Sequence, residues 1–65
     1  MSNAEIGARL RSLRGDATRE EVAQALKVSV SALQMYENGK RVPRDETKRN
    51  IANFYGVSVE SLFFT

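Results

Sequence analysis

The sequence contains no cysteine and no histidine, only one proline, and four glycines scattered singly. Without cysteine the chain cannot form a disulfide, and without both residues it lacks the ligands of nearly all zinc and iron sites. No cofactor is therefore expected. The 65 residues must be stabilised by their own hydrophobic core, and that length is enough for one small domain.

Long apolar runs and a strong charge imbalance are also missing. No run approaches the ~20 apolar residues that cross a bilayer, and the N-terminus lacks the basic-then-apolar order of a signal peptide. These features predict a cytoplasmic protein without membrane contact. Ten basic and eight acidic residues give a net charge of +2, and a sequence pI near 9.4 permits an anionic partner without requiring one.

The first predicted helix runs from Ala4 to about Arg14, where apolar residues recur at spacings of four and three: Ile6, Leu10 and Leu13. Residues 1–3 precede it and are interpreted as an expression scar or a disordered start, with a native start as the alternative because Met1 comes first. This interpretation leaves residues 4–65 as the folded domain.

The next two predicted helices lie close together. Thr18 and Glu21 have the spacing of a capping box, so a second helix begins after Thr18. Ser29 is the candidate cap of a third helix, which runs to about Glu37 and ends at the Asn-Gly pair that follows.

Two further helices complete an all-α prediction. A fourth opens near Asp45 and runs to about Tyr55, and Ser58 can cap a short fifth one. The best core candidates of the fourth helix are Ile51, Phe54 and Tyr55. At the chain end, three successive apolar residues cannot all face inward: Leu62, Phe63 and Phe64.

The third helix has two distinct faces at about 100° per residue. Ala32, Leu33 and Tyr36 form an apolar stripe, whereas the opposite side is uncharged and carries Val30, Ser31, Gln34 and Met35. A helix selected only for solubility would carry Lys or Glu there. Uncharged amide, hydroxyl and apolar groups suit base edges in the DNA major groove, where carboxylates would be repelled by phosphate.

Basic residues stand on both sides of this helix in the sequence. Arg19 opens the second helix, and three cations follow the third: Lys40, Arg41 and Arg44. They are positioned to contact phosphates flanking a groove. A small residue in the second helix, Ala23, allows the third helix to cross closely, as in a helix-turn-helix.

The segment TREEVAQALKVSVSALQMYENGKRVP, residues 18–43, resembles the helix-turn-helix of the phage lambda repressor and Cro class, also called the xenobiotic response element family. The resemblance extends from about Ile6 to Phe64. It implies a compact five-helix, lambda-repressor-like DNA-binding domain in which helices two and three form the motif. The residues that carry it occur in one ordered set: Thr18, Glu21, Ala23, Val28, Ser29, Leu33, Glu37, Asn38, Gly39 and Pro43.

This resemblance also implies a role for each matching position. Bases of double-stranded DNA would be read by Val30, Ser31, Gln34 and Met35. Phosphates would be contacted by Arg19, Asn38, Lys40, Arg41 and Arg44. An arginine near the end of the first helix is a family feature, so Arg14 and Glu37 are expected to form a partly buried pair that orients the third helix.

Two positions depart from the family pattern. Val30 stands where glutamine is frequent, so a bidentate contact to adenine is replaced by packing against a thymine methyl group. Lys27 stands in the turn where glycine is usual. A positive φ at this position would strain the lysine by roughly 1 kcal/mol.

The function expected from these features is sequence-specific DNA binding by a transcriptional repressor. One module reads few base pairs, so a homodimer on a palindromic operator is expected, with a C-terminal phenylalanine at the dimer contact. The alternative is an antitoxin-type or protein-binding helix-turn-helix, which a neutral or acidic rim would favour. An enzyme is not expected, because the acidic residues are adjacent pairs at helix starts and no histidine is available.

Overall fold

The structure, a computed structural model, describes residues 2–64. Within that range the chain forms helices and turns and no strand. The all-α prediction is confirmed. The helices are α1 (Asn3–Arg14), α2 (Arg19–Leu26), α3 (Val30–Glu37), α4 (Asp45–Tyr55) and α5 (Val59–Phe63).

The first helix begins one residue earlier than predicted, because a capping box forms in front of it. The Ser2 hydroxyl accepts from the Glu5 backbone N–H at 3.2 Å, and the Glu5 carboxylate accepts from the Ser2 backbone N–H at 3.1 Å. Ser2 is therefore the N-cap of α1 and Asn3 is its first residue. Met1 and Thr65 lie outside the described residues.

The other predicted caps are present. Thr18 and Glu21 form the predicted capping box of α2, and the Ser29 hydroxyl accepts from the Ala32 backbone N–H at 3.0 Å. The Ser58 hydroxyl accepts from the Ser61 backbone N–H at 3.1 Å and caps α5 in the same way. Each cap satisfies a backbone donor that the first turn of its helix would otherwise leave unpaired.

The core lies where the five helices meet. Its buried apolar residues are Ile6, Leu10, Val22, Ala23, Leu26, Leu33, Tyr36, Ile51, Leu62 and Phe63.

The predicted inner face of α4 is correct for Ile51 and Tyr55 and wrong for Phe54. Ile51 is fully buried and Tyr55 packs against the core, but Phe54 is 47% exposed. Ala52 is buried in its place. At about 100° per residue, positions 51, 52 and 55 span a single stripe from which position 54 is turned away.

The C-terminal apolar residues divide as predicted. Leu62 and Phe63 are buried, whereas Phe64 is 62% exposed. The Lys48 ammonium lies 5.5 Å from the ring centroid of Phe63 and 4.9 Å from that of Phe64, which is within the range of a cation–π contact.

A glycine in α1 sets the distance between α1 and α3. A Cβ at position 7 would overlap the backbone carbonyl of Glu37, so only glycine permits this approach. No pattern along the chain marks Gly7, because the requirement comes from a contact with another helix. The close crossing holds the C-terminal end of α3 against α1 and leaves its opposite side uncovered.

Candidate nucleic-acid interface

The two faces of α3 separate as predicted. Leu33 is 1% exposed and Tyr36 is 8% exposed, so both belong to the core. The four predicted base-reading residues all lie on the exposed side: Val30, Ser31, Gln34 and Met35. Val30 and Met35 are each 37% exposed. The outer side of α3 is therefore an accessible, uncharged surface with one amide and one hydroxyl.

Residues 27–29 connect α2 to α3 in a tight turn. Lys27 adopts the left-handed conformation, with φ 58° and ψ 41°. The Val28 backbone N–H donates to the Ala23 carbonyl at 3.0 Å, as in the helix ending that normally uses glycine at the Lys27 position. The turn keeps its positive φ, so the strain expected for lysine is present.

The loop after α3 is tied back to the helix by its backbone. The backbone N–H groups of Lys40 and Arg41 both donate to the Met35 carbonyl, at 2.9 Å and 3.3 Å. Pro43 is buried, and the side chains of Lys40, Arg41 and Arg44 are exposed. The cations of this loop thus follow directly from the C-terminal end of the exposed α3 face.

An ion cluster with a buried carboxylate lies where the end of α1 meets the end of α3, next to the start of α2. Glu37 has a side chain that is 0% exposed, and Arg14 pairs with it where the sequence predicts a pair. The Arg14 Nε donates to Oε2 at 2.7 Å and its Nη2 donates to Oε1 at 3.1 Å. The same guanidinium also donates from Nη1 to the Ala17 carbonyl at 2.7 Å. Hydrogen bonding to Glu37 raises the pKa of the Arg14 guanidinium above its ordinary value.

Arg19, predicted from the sequence only as a phosphate contact, joins the same cluster. Its Nε donates to Oε1 of Glu37 at 2.9 Å, and its side chain remains 31% exposed. Residues 19 and 37 are far apart in sequence, so only the packing of α2 on α3 brings them together.

Tyr55 lies at the edge of this cluster. Its hydroxyl oxygen is buried and has no hydrogen-bond partner within residues 2–64. Burial, followed by the negative charge of Glu37, raises the pKa of the Tyr55 hydroxyl.

Comparison with known proteins identifies the family. Residues 5–62, most of the chain, match the family described as a helix-turn-helix domain. The chain belongs to the helix-turn-helix domain family. It is also 37% identical over 59 residues to RstR, a cryptic phage CTXphi transcriptional repressor of Vibrio cholerae, across 88% of this chain. The aligned region is 53% of that relative, so the chain spans about half the length of the curated protein it matches.

Within the helix-turn-helix domain, α2 and α3 form the motif, and the predicted contact residues fall into two structural groups. The exposed α3 residues and the loop cations have accessible side chains, as does Asn38 at the C-terminal end of α3. Arg19 differs from them because its guanidinium is already held by Glu37.

The described part of the chain contains no group of three or more potential metal ligands that could hold a metal ion. Across residues 2–64, no helix is both long and apolar enough to cross a membrane.

Proposed function

We propose that this protein is a transcriptional repressor that binds a specific double-stranded DNA sequence through α3. The observation that carries the proposal is the uncharged, exposed side of α3, with Lys40, Arg41 and Arg44 in the loop that follows its C-terminal end. Membership of the helix-turn-helix family and similarity to a phage repressor support it. Binding over a promoter would exclude the polymerase, so no further activity is required for repression.

The proposed contacts divide into two kinds. Val30, Ser31, Gln34 and Met35 read base edges in the major groove, where the Gln34 amide can make a bidentate contact and Val30 can pack on a thymine methyl group. Phosphates are contacted by Arg19, Asn38, Lys40, Arg41 and Arg44. Phosphate contacts position the protein and set its salt dependence, whereas base contacts specify the sequence.

We further propose that two copies bind a palindromic operator as a dimer. An apolar groove lies between the end of α1 and α5, lined in part by Leu13 and Leu62. Leu13 is 38% exposed, and Phe64, two residues after Leu62, is 62% exposed. Exposed apolar groups of this kind are suited to a contact with a second copy.

Selection of bound sequences from a random duplex library, at about 50 mM and about 200 mM salt, tests the proposed function. A preferred motif should emerge that persists at the higher salt. Gln34→Ala should alter the motif, whereas Arg41→Gln should weaken binding to all sequences and lower the salt slope by about one for each bound protomer. Recovery of no preferred sequence at either salt concentration would reject the proposal and favour the protein-binding alternative.

A further inference from the structure

Two arginines share one buried carboxylate at the junction of α1, α2 and α3. Both oxygens of Glu37 accept from Arg14, and Oε1 accepts a second time from Arg19. The bidentate Arg14 contact alone would neutralise the carboxylate. Arg19 therefore leaves the cluster with one positive charge in excess, and neutralisation of Glu37 does not account for its presence.

Arg19 occupies a particular place relative to the proposed DNA surface. It is the first residue of α2, next to backbone N–H groups that carry the positive end of the helix dipole. Its Nε is bound to Glu37, and its other guanidinium nitrogens have no hydrogen-bond partner within residues 2–64. A guanidinium has donors on separate nitrogens, so one nitrogen can bond to Glu37 while others bond to a phosphate.

We propose that Glu37 is a positioning residue for DNA binding, because its buried carboxylate holds Arg19 so that the remaining guanidinium donors are set for a backbone phosphate. This inference rests on the proposed function and extends it to a residue that itself cannot touch DNA. Glu37 is fully buried, so it acts on the duplex only through Arg19.

The expected benefit is preorganisation of a long side chain. A free arginine loses rotamer freedom when it is immobilised on a phosphate, whereas an arginine already fixed at Nε loses less. A side chain of this kind contributes roughly two- to tenfold in affinity per protomer when it is ordered beforehand. The contribution is sequence-independent, because it concerns a phosphate.

A double-mutant cycle isolates this effect. We would measure the affinity of wild type, Arg19→Gln, Glu37→Gln and the double variant for a random-sequence duplex of about two helical turns, at about 50 mM and about 200 mM salt. Arg19→Gln should weaken binding roughly two- to tenfold more in the wild type than in the Glu37→Gln background. The control, Arg41→Gln, should have the same effect in both backgrounds. Equal effects of Arg19→Gln in both backgrounds would overturn the inference.

If Glu37→Gln does not fold, NMR of the arginine Nε–H groups in the wild-type protein tests the inference instead. In wild-type protein the Arg19 Hε should exchange with water several-fold more slowly than the Arg41 Hε, both free and bound to the random-sequence duplex. Equal exchange in the free protein, or loss of the Arg19 protection on binding, would overturn the inference. Wild-type protein that binds no duplex would instead reject the proposed function, so the two failures are distinguishable.

Discussion

Glu37 is buried near the C-terminal end of α3, where the helix dipole disfavours a carboxylate, and its two arginine partners compensate for this position. Removing its charge would leave Arg14 without a counter-charge in a largely buried site. Glu37→Gln should therefore lower the free energy of unfolding by about 3–5 kcal/mol, a large part of the stability of a domain this small. Urea denaturation followed by circular dichroism measures this loss.

Glu20→Gln is the matched control, because Glu20 is an exposed carboxylate on α2. It should change the free energy of unfolding by less than about 0.5 kcal/mol. Equal, small effects of the two substitutions would show that the buried cluster does not stabilise the fold.

The raised pKa of Tyr55 predicts how the stability of the fold changes at alkaline pH. Its pKa is raised in the folded state, so above the ordinary tyrosine pKa of about 10 the unfolded chain loses this proton while the folded chain retains it. The unfolded state then binds fewer protons, and stability falls as pH rises. Tyr55→Phe should remove this part of the fall and should cost little at neutral pH, because the hydroxyl has no partner within residues 2–64. Urea denaturation of both proteins at pH 7 and above pH 10 tests this, and parallel pH profiles would contradict it.

The endings of α2 and α4 can be compared directly, because each has one residue with a positive φ. Lys27 and Gly56 both adopt the left-handed conformation, with φ 58° and φ 69°. Lys27→Gly should raise the free energy of unfolding by roughly 0.5–1 kcal/mol because it relieves strain. Gly56→Ala should lower it by about 1 kcal/mol, because a Cβ there meets no atom within 4 Å and only the backbone conformation is penalised. The melting temperatures of the two variants should shift in opposite directions. Shifts of the same sign would show that the left-handed backbone conformation does not strain Lys27 as proposed.

The helices could be predicted from sequence because their signals are local. Caps such as Thr18 and Ser29 act within four residues, and helical spacing places Leu33 and Ser31 on opposite sides of α3. The missed features arise from packing between helices. Gly7 is required by the carbonyl of Glu37, and Arg19 reaches a carboxylate on another helix, so neither leaves a pattern along the chain. The sequence predicts Phe54 as a core residue, but Ala52 is buried instead. A small residue such as Ala52 is only a weak hydrophobic signal.

For the whole molecule, the proposed dimer predicts cooperative occupation of a palindromic site. A duplex recovered by selection should bind a second protomer more tightly than the first, because the two copies contact each other as well as DNA. Phe64→Ser should abolish this cooperativity and leave the affinity for an isolated half-site unchanged. Gel-shift titration of the full site and the half-site measures both quantities.

Two comparison variants distinguish a specific contact from general loss of apolar surface. Phe54→Ser removes an aromatic ring of similar exposure, 47% against 62%, from a separate groove beside Lys27 and should leave cooperativity intact. Phe63→Ala would be uninformative about the contact, because Phe63 is 4% exposed and its loss would destabilise the core. Because Phe64 belongs to the proposed contact and Phe54 lies in a separate groove, equal loss of cooperativity in Phe54→Ser and Phe64→Ser would rule out that contact. Non-cooperative binding by wild type would rule out the dimer itself.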